Sequence, residues 1–260
     1  MSNEPDSYAP ARRRRGRSIY LLPNLFTTAA MLAGFYSIVQ AHAGDFRLGG
    51  IAIVIAAILD GFDGRVARMT NTSTPFGAEY DSMSDMVSFG LAPAYLMYAW
   101  SLSSLETAQY AQLGWVVCFV FTACCGLRLA RFNIAVGTAD KRFFQGLACP
   151  TAGVILATLA WVCTDLGIAG PDVVFLVGLS TLVFGLLMVS NFAYYSFKDL
   201  GARRRVPFAM LVGLLLIFFT TAIDPPKMIL ILGVLYAASG PAWSGWSWYR
   251  KRSRSTSATD

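Results

Sequence analysis

Apolar runs of roughly twenty residues alternate with short polar breaks along most of the chain. A helix of about 20 apolar residues matches the hydrocarbon thickness of a bilayer. The pattern predicts an all-α integral membrane protein, a bundle of about eight transmembrane helices. The expected helices are Ile19–Ala41, Leu48–Met69, Ala78–Ser101, Tyr110–Asn133, Leu147–Asp165, Asp172–Tyr195, Val206–Ile223 and Met228–Tyr249. Residues 1–18 read as a basic cytoplasmic tail, 19–249 as one membrane domain, and 250–260 as a second basic cytoplasmic tail. No small-residue cleavage site follows the first apolar run, which argues against a removed signal peptide.

Composition agrees with the pattern. Of the residues, 55% are hydrophobic and 14% charged, and the mean hydropathy is +0.52. Those values exclude an ordinary soluble domain. The net charge of +6 points to nucleic acid only until the charges are placed on the chain. With the N-terminus inside and eight spans threaded, 19 of the 21 basic residues fall on the inner side, and only Arg47 and Lys227 fall outside. The inner set comprises Arg12–Arg15, Arg17, Arg65, Arg68, Arg128, Arg131, Lys141, Arg142, Lys198, Arg203–Arg205, Arg250, Lys251, Arg252 and Arg254. Such a bias orients a membrane protein. It puts both termini in the cytoplasm and leaves no nucleic-acid partner to invoke. A cell (inner) membrane location, multi-pass, follows as the expectation. Trp243, Trp246, Trp248 and Tyr249 read as an interfacial belt, and Tyr194 and Tyr195 as interfacial anchors. The five cysteines (Cys118, Cys124, Cys125, Cys149, Cys163) lie in apolar runs and read as packing residues.

One stretch breaks the apolar pattern. Residues 60–85 carry four aspartates and two arginines. Asp60 and Asp63 are three apart, Asp81 and Asp85 four apart, and either spacing stacks two carboxylates on one helix face. One ionised aspartate at the bilayer centre costs roughly 3 kcal/mol, so four unpaired ones cost on the order of 10. The turn-prone run Thr70 to Gly77 lets two helical arms gather all four into a watery cavity near one interface. Hard oxygen ligands without nearby His or Cys suit Mg²⁺ or Mn²⁺, one or two ions. A solvated loop is the bland alternative, and the apolar helices on both sides argue against it.

Other polar groups lie at the same predicted face. Pro23-Asn24 opens the first helix, either as a helix start or as a substrate contact. Arg128 and Arg131 share a helix face just before Asn133. They serve equally as headgroup anchors or as a guanidinium fork for a carboxylate or phosphate. Lys198 follows the polar run Ser190-Asn191. His42, the single histidine, reads as an exposed loop residue.

The spacing D-x2-D-G-x2-A-R-x8-G-x3-D-x3-D, carried by Asp60, Asp63, Gly64, Ala67, Arg68, Gly77, Asp81 and Asp85, resembles the signature of the CDP-alcohol phosphatidyltransferases. That resemblance implies a membrane enzyme that displaces CMP from a CDP-linked lipid with an alcohol. It implies Asp60, Asp63, Asp81 and Asp85 as metal ligands, with Asp85 ligating or acting as catalytic base. It also implies that Asn24, Asp60, Gly64, Ala67, Arg68, Thr74 and Gly77 bind CDP-diacylglycerol. The run Arg128-Leu-Ala-Arg131-Phe-Asn133 is similar to the branch whose acceptor is serine. Arg128, Arg131, Asn133 and Lys198 are then expected around L-serine, with phosphatidylserine and CMP as products. The segment 146–153 departs from the family pattern in the position of its proline. Members are often homodimers, and Gly178, Gly185 and Gly213 suit close helix packing.

The sequence also admits two alternatives. Within the family, the acceptor is instead glycerol 3-phosphate, inositol phosphate or choline. From another class, intramembrane carboxylates also mark divalent-cation or proton-coupled transporters. Those spread polar groups through the midplane on broken helices, whereas here they gather at one face.

Overall fold

A computed structural model describes residues 21–70, 74–107, 112–135, 143–195 and 220–256. The chain is almost wholly helical there. Helix α1 (Leu21–His42) is followed by a turn with Gly44 at φ +83°, and α2 (Phe46–Thr70) starts where Asp45 Oδ1 accepts from Leu48 N at 2.9 Å. Thr74 caps α3 (Pro75–Asp85), with Pro75 in the first turn. Alpha-helical geometry then gives way to a π-helical segment, Met86–Leu91, before resuming as α4 (Ala92–Trp100). Helix α5 is Leu113–Ala135, α6 Cys149–Asp165, α7 Val174–Val189 and α8 Pro225–Thr256. Short 3₁₀ turns cover Leu102–Thr107 and Gly170–Val173.

The π segment has a local cause. Pro93 has no N–H to give the carbonyl four residues back, and Ala92 N donates instead to Val87 O, five residues back. Its residues Ser88, Phe89 and Gly90 are buried at the centre of the bundle. Ser84 Oγ donates to Thr27 O at 3.0 Å, and Ser88 Oγ donates to Ala30 O at 3.1 Å, fastening this helix along α1. A Cβ on Gly34 would lie 2.6 Å from the Ser88 backbone, and one on Gly153 would lie 3.2 Å from Phe89. Small residues here let helix backbones approach where hydrophobic driving force between helices is weak.

Around this centre, α2 lies along α1 and α6, α5 along α7, and α6 along α8. Phe89, Phe121, Ile53, Leu96, Met97 and Leu156 fill the interior completely. Phe119, Phe175, Leu179 and Leu235 are more than half exposed, apolar surface that water does not tolerate in such extent. Among the described residues, three helical stretches are long and apolar enough to cross a membrane: Leu113–Ile134, Gly170–Val189 and Pro225–Ser244.

Several expectations change. The sixth expected helix, Asp172–Tyr195, ends at Val189, because Ser190 turns extended (φ −62°, ψ 158°). The chain then forms β2 (Ala193–Tyr195), antiparallel to β1 (Phe143–Gln145), with Phe144 opposite Tyr194. The all-α class stands, with this ribbon of two three-residue strands added to it. Tyr194 is no interfacial anchor. It is 1% exposed and donates to Ala237 O at 3.0 Å, in a slot that the missing side chain of Gly240 leaves open. Gly185 does not serve a partner chain, for a Cβ there would lie 3.1 Å from Phe121 Cα of this chain. His42 closes α1 and lies 3.2 Å from the Tyr95 hydroxyl. Helix α8 runs past Tyr249 to Thr256. The basic tail 1–18, Lys141, Arg142, Lys198, Arg203–Arg205 and most of the seventh expected helix, Gly213 included, lie outside the described residues.

Candidate active site

Asp60 and Asp63 sit one turn apart near the end of α2, Asp81 and Asp85 one turn apart on α3. The fold brings an oxygen each from Asp60, Asp63 and Asp81 within 4.8 Å of one another. At that separation two full negative charges repel by about 3 kcal/mol at an effective dielectric of ~20. Asp85 stands beside the triangle, its carboxyl close to that of Asp60.

The triangle is tied down from one side only. Asp63 is 5% exposed and accepts from Thr27 Oγ1 at 2.7 Å. Asp81 Oδ1 is buried with no donor facing it. A buried carboxylate oxygen without a donor is costly. Asp60, Asp63 and Asp81 would hold a divalent cation, which would remove both that cost and the repulsion, and the all-oxygen donor set fits Mg²⁺ or Mn²⁺.

Gly77, Asp81 and Asp85 follow one another at intervals of four along α3, a row that rises about 6 Å per step. At the Gly77 end, Thr74 Oγ1 accepts from Gly77 N at 3.0 Å as the helix cap. Asn24 Oδ1 lies 3.6 Å from where a Gly77 Cβ would be. Asn24, Thr74 and Gly77 therefore cluster at the mouth of α3. Gly64 is exposed, and a Cβ there would meet nothing within 4 Å. Ala67 and Arg68 lie on the last turns of α2, with their side chains outside the described residues.

At the Asp85 end stands Arg128 of α5, near enough to act electrostatically on Asp85. Its Nη1 donates to Cys149 Sγ at 3.4 Å, while its Nε is buried without an acceptor. Arg131, one turn on, turns elsewhere. It donates to Gln145 Oε1, to Asn191 Oδ1 at 2.8 Å and to Val189 O at 3.5 Å, clasping the ends of β1 and β2. Asn133 Nδ2 reaches α3, donating to Ser82 Oγ at 3.1 Å and Glu79 Oε2 at 3.4 Å. Among the described residues expected around the acceptor, Arg128 is the one near enough to Asp85 to act on it electrostatically. Two participants escaped the sequence reading. Thr27 shows only as a threonine one turn after Asn24, and Cys149 only as one apolar-run cysteine among five.

The sequence model of the CDP-alcohol phosphatidyltransferase family matches residues 20–237. The chain belongs to that family. Among curated CDP-alcohol phosphatidyltransferases, it is 34% identical over 200 residues to the CDP-diacylglycerol–serine O-phosphatidyltransferase of Helicobacter pylori, covering 77% of this chain and 82% of that one. To the enzyme of the same name from Methanocaldococcus jannaschii it is 32% identical over 183 residues, 70% of this chain and 78% of that one. To the archaetidylserine synthase of Methanothermobacter thermautotrophicus it is 30% identical over 189 residues, 71% and 74% of the two chains.

Proposed function

We propose that this phosphatidyltransferase moves the phosphatidyl group of CDP-diacylglycerol to the hydroxyl of L-serine, giving phosphatidylserine and CMP. The observation that carries the reading is the row on α3. A carboxylate triangle fit for a divalent ion lies between the capped mouth at Asn24, Thr74 and Gly77 and the deeper pair Asp85 and Arg128. Two relatives named CDP-diacylglycerol–serine O-phosphatidyltransferase and one named archaetidylserine synthase support the choice of acceptor.

Asp60, Asp63 and Asp81 would hold the metal, with Asp85 beside them. A bound divalent ion supplies charge neutralisation for the pyrophosphate and the departing CMP. The exposed backbone at Gly64 lets the nucleotide approach α2, and Thr74, its oxygen accepting in the cap, retains a hydroxyl proton to donate. Arg68 is assigned to a phosphate. Arg128 takes the serine carboxylate through its open N–H groups. The serine oxygen bonds to the lipid-side phosphorus, the bridging P–O bond breaks with its electron pair leaving on CMP, and Asp85 accepts the hydroxyl proton.

The same reading places eight spans in an inner membrane, with both termini and the site cytoplasmic and the enzyme a homodimer. CMP release from CDP-diacylglycerol by purified protein in Mn²⁺ or Mg²⁺ tests it, with serine, glycerol 3-phosphate, inositol phosphate and choline in parallel. Serine-dependent release that Asp85→Asn abolishes is the expected result. Release with another acceptor instead overturns serine, and no release from folded protein overturns the transferase reading.

A further inference from the structure

Cys149 opens α6, and its sulfur lies where α5, α6 and the aspartate row meet. Arg128 Nη1 donates to it at 3.4 Å, and its thiol points to Cys125 O at 3.8 Å. One side chain thus bridges two points about a turn apart on α5. A thiol is a weak donor and a weak acceptor, so these contacts add little to stability. Their value is directional.

A half-buried guanidinium beside a carboxylate ordinarily closes into a two-pronged ion pair. Among the described residues the ion pairs are Arg47–Asp165 and Lys227–Asp224, and Arg128 and Asp85 are not joined in one. Arg128 Nε keeps its buried N–H open. The separation matters for an acceptor such as serine, whose carboxylate and hydroxyl sit on neighbouring carbons. The two enzyme groups that address them must be neighbours and must not bind each other.

We propose that Cys149 is a positioning residue for the acceptor: it holds one prong of Arg128 away from Asp85, leaving the guanidinium open to a carboxylate and Asp85 open to a hydroxyl. The proposal rests on serine being the acceptor.

Full-length enzyme carrying Cys149→Ala or Cys149→Ser tests it, with serine and CDP-diacylglycerol varied separately and Mn²⁺ affinity measured without substrate. Loss of the sulfur in C149A should raise the serine KM about tenfold, the effect of one misdirected charge-assisted hydrogen bond. The KM for CDP-diacylglycerol and the Mn²⁺ affinity should stay near wild type. C149S, which keeps a donor and an acceptor, should recover most of the serine KM. Cys149→Val, which fills the space without an acceptor, replaces C149A if the smaller side chain prevents folding. A wild-type serine KM in C149A or C149V overturns the proposal. So does equal loss in C149A and C149S across both substrates, the mark of packing alone. If the wild-type enzyme ignores serine and uses another alcohol, the acceptor reading falls and takes this proposal with it. If wild type uses serine and the variants match it, only the role of Cys149 falls.

Discussion

The two ends of α2 treat charge in opposite ways. At its start, Asp45 caps the helix, and Arg47 pairs with Asp165 at 3.2 Å across to the end of α6. Each charge there has a partner within the chain. At its far end, Asp60 and Asp63 join Asp81 in a triangle of like charges, one oxygen of which faces no donor. Arg128 nearby leaves a buried N–H open. Unsatisfied charge at the second end is what the proposed metal and acceptor site requires. Charge content alone does not distinguish the ends. Partnering does.

The contrast breaks most severely if a carboxylate is neutralised. Asp81→Asn and Asp85→Asn should each reduce CMP release by about a thousandfold or more, the scale of losing a group needed in the transition state. Arg47→Ala should leave the turnover number near wild type in the same assay. Metal removal comes next. Chelation with EDTA should silence the wild-type enzyme and added Mn²⁺ should restore it, while Asp81→Asn stays silent under both conditions. The two arginines of α5 then sharpen the comparison within one helix. Arg128→Lys should raise the serine KM about tenfold, since lysine lacks the planar fork. Arg131→Ala should instead lower the melting temperature in detergent, with about 1 kcal/mol lost as its exposed hydrogen bonds go, and leave the serine KM close to normal. A smaller effect belongs to Thr27→Val, which removes the 2.7 Å donor to Asp63. Mn²⁺ affinity should fall about tenfold, as for other groups that orient a metal ligand. Least of all, Arg47→Ala should cost under about 1 kcal/mol of stability, because its ion pair is largely solvent-exposed.

What the sequence discloses follows from how local each cause is. The aspartate row needs only helix periodicity and spacings of three and four, so residues 60–85 announce it. Thr74 and Pro75 mark the start of α3 by capping rules, although the apolar pattern alone begins that helix at Ala78. The strand at Ala193–Tyr195 depends on Phe143–Gln145, about fifty residues earlier, and no local signal contradicts a continued helix. Tyr194 goes inside because Gly240 leaves a slot, again a distant cause. Arg128 and Arg131 look equivalent on a helical wheel. Only the positions of Cys149, Gln145 and Asn191 separate them.

The π-helical segment Met86–Leu91 begins immediately after Asp85. A π turn holds one residue more than the α-turn it replaces, so the helix before it and the helix after it are out of phase by about 100°. The azimuth of the aspartates relative to the buried residues of α4 is therefore set by a residue count. Removing Leu91, which is 47% exposed, would keep every ligand and every buried core side chain in the chain. It would nonetheless swing Asp81 and Asp85 through more than a quarter turn relative to α4. For this enzyme, an alignment gap within 86–91 is a graver change than most substitutions there.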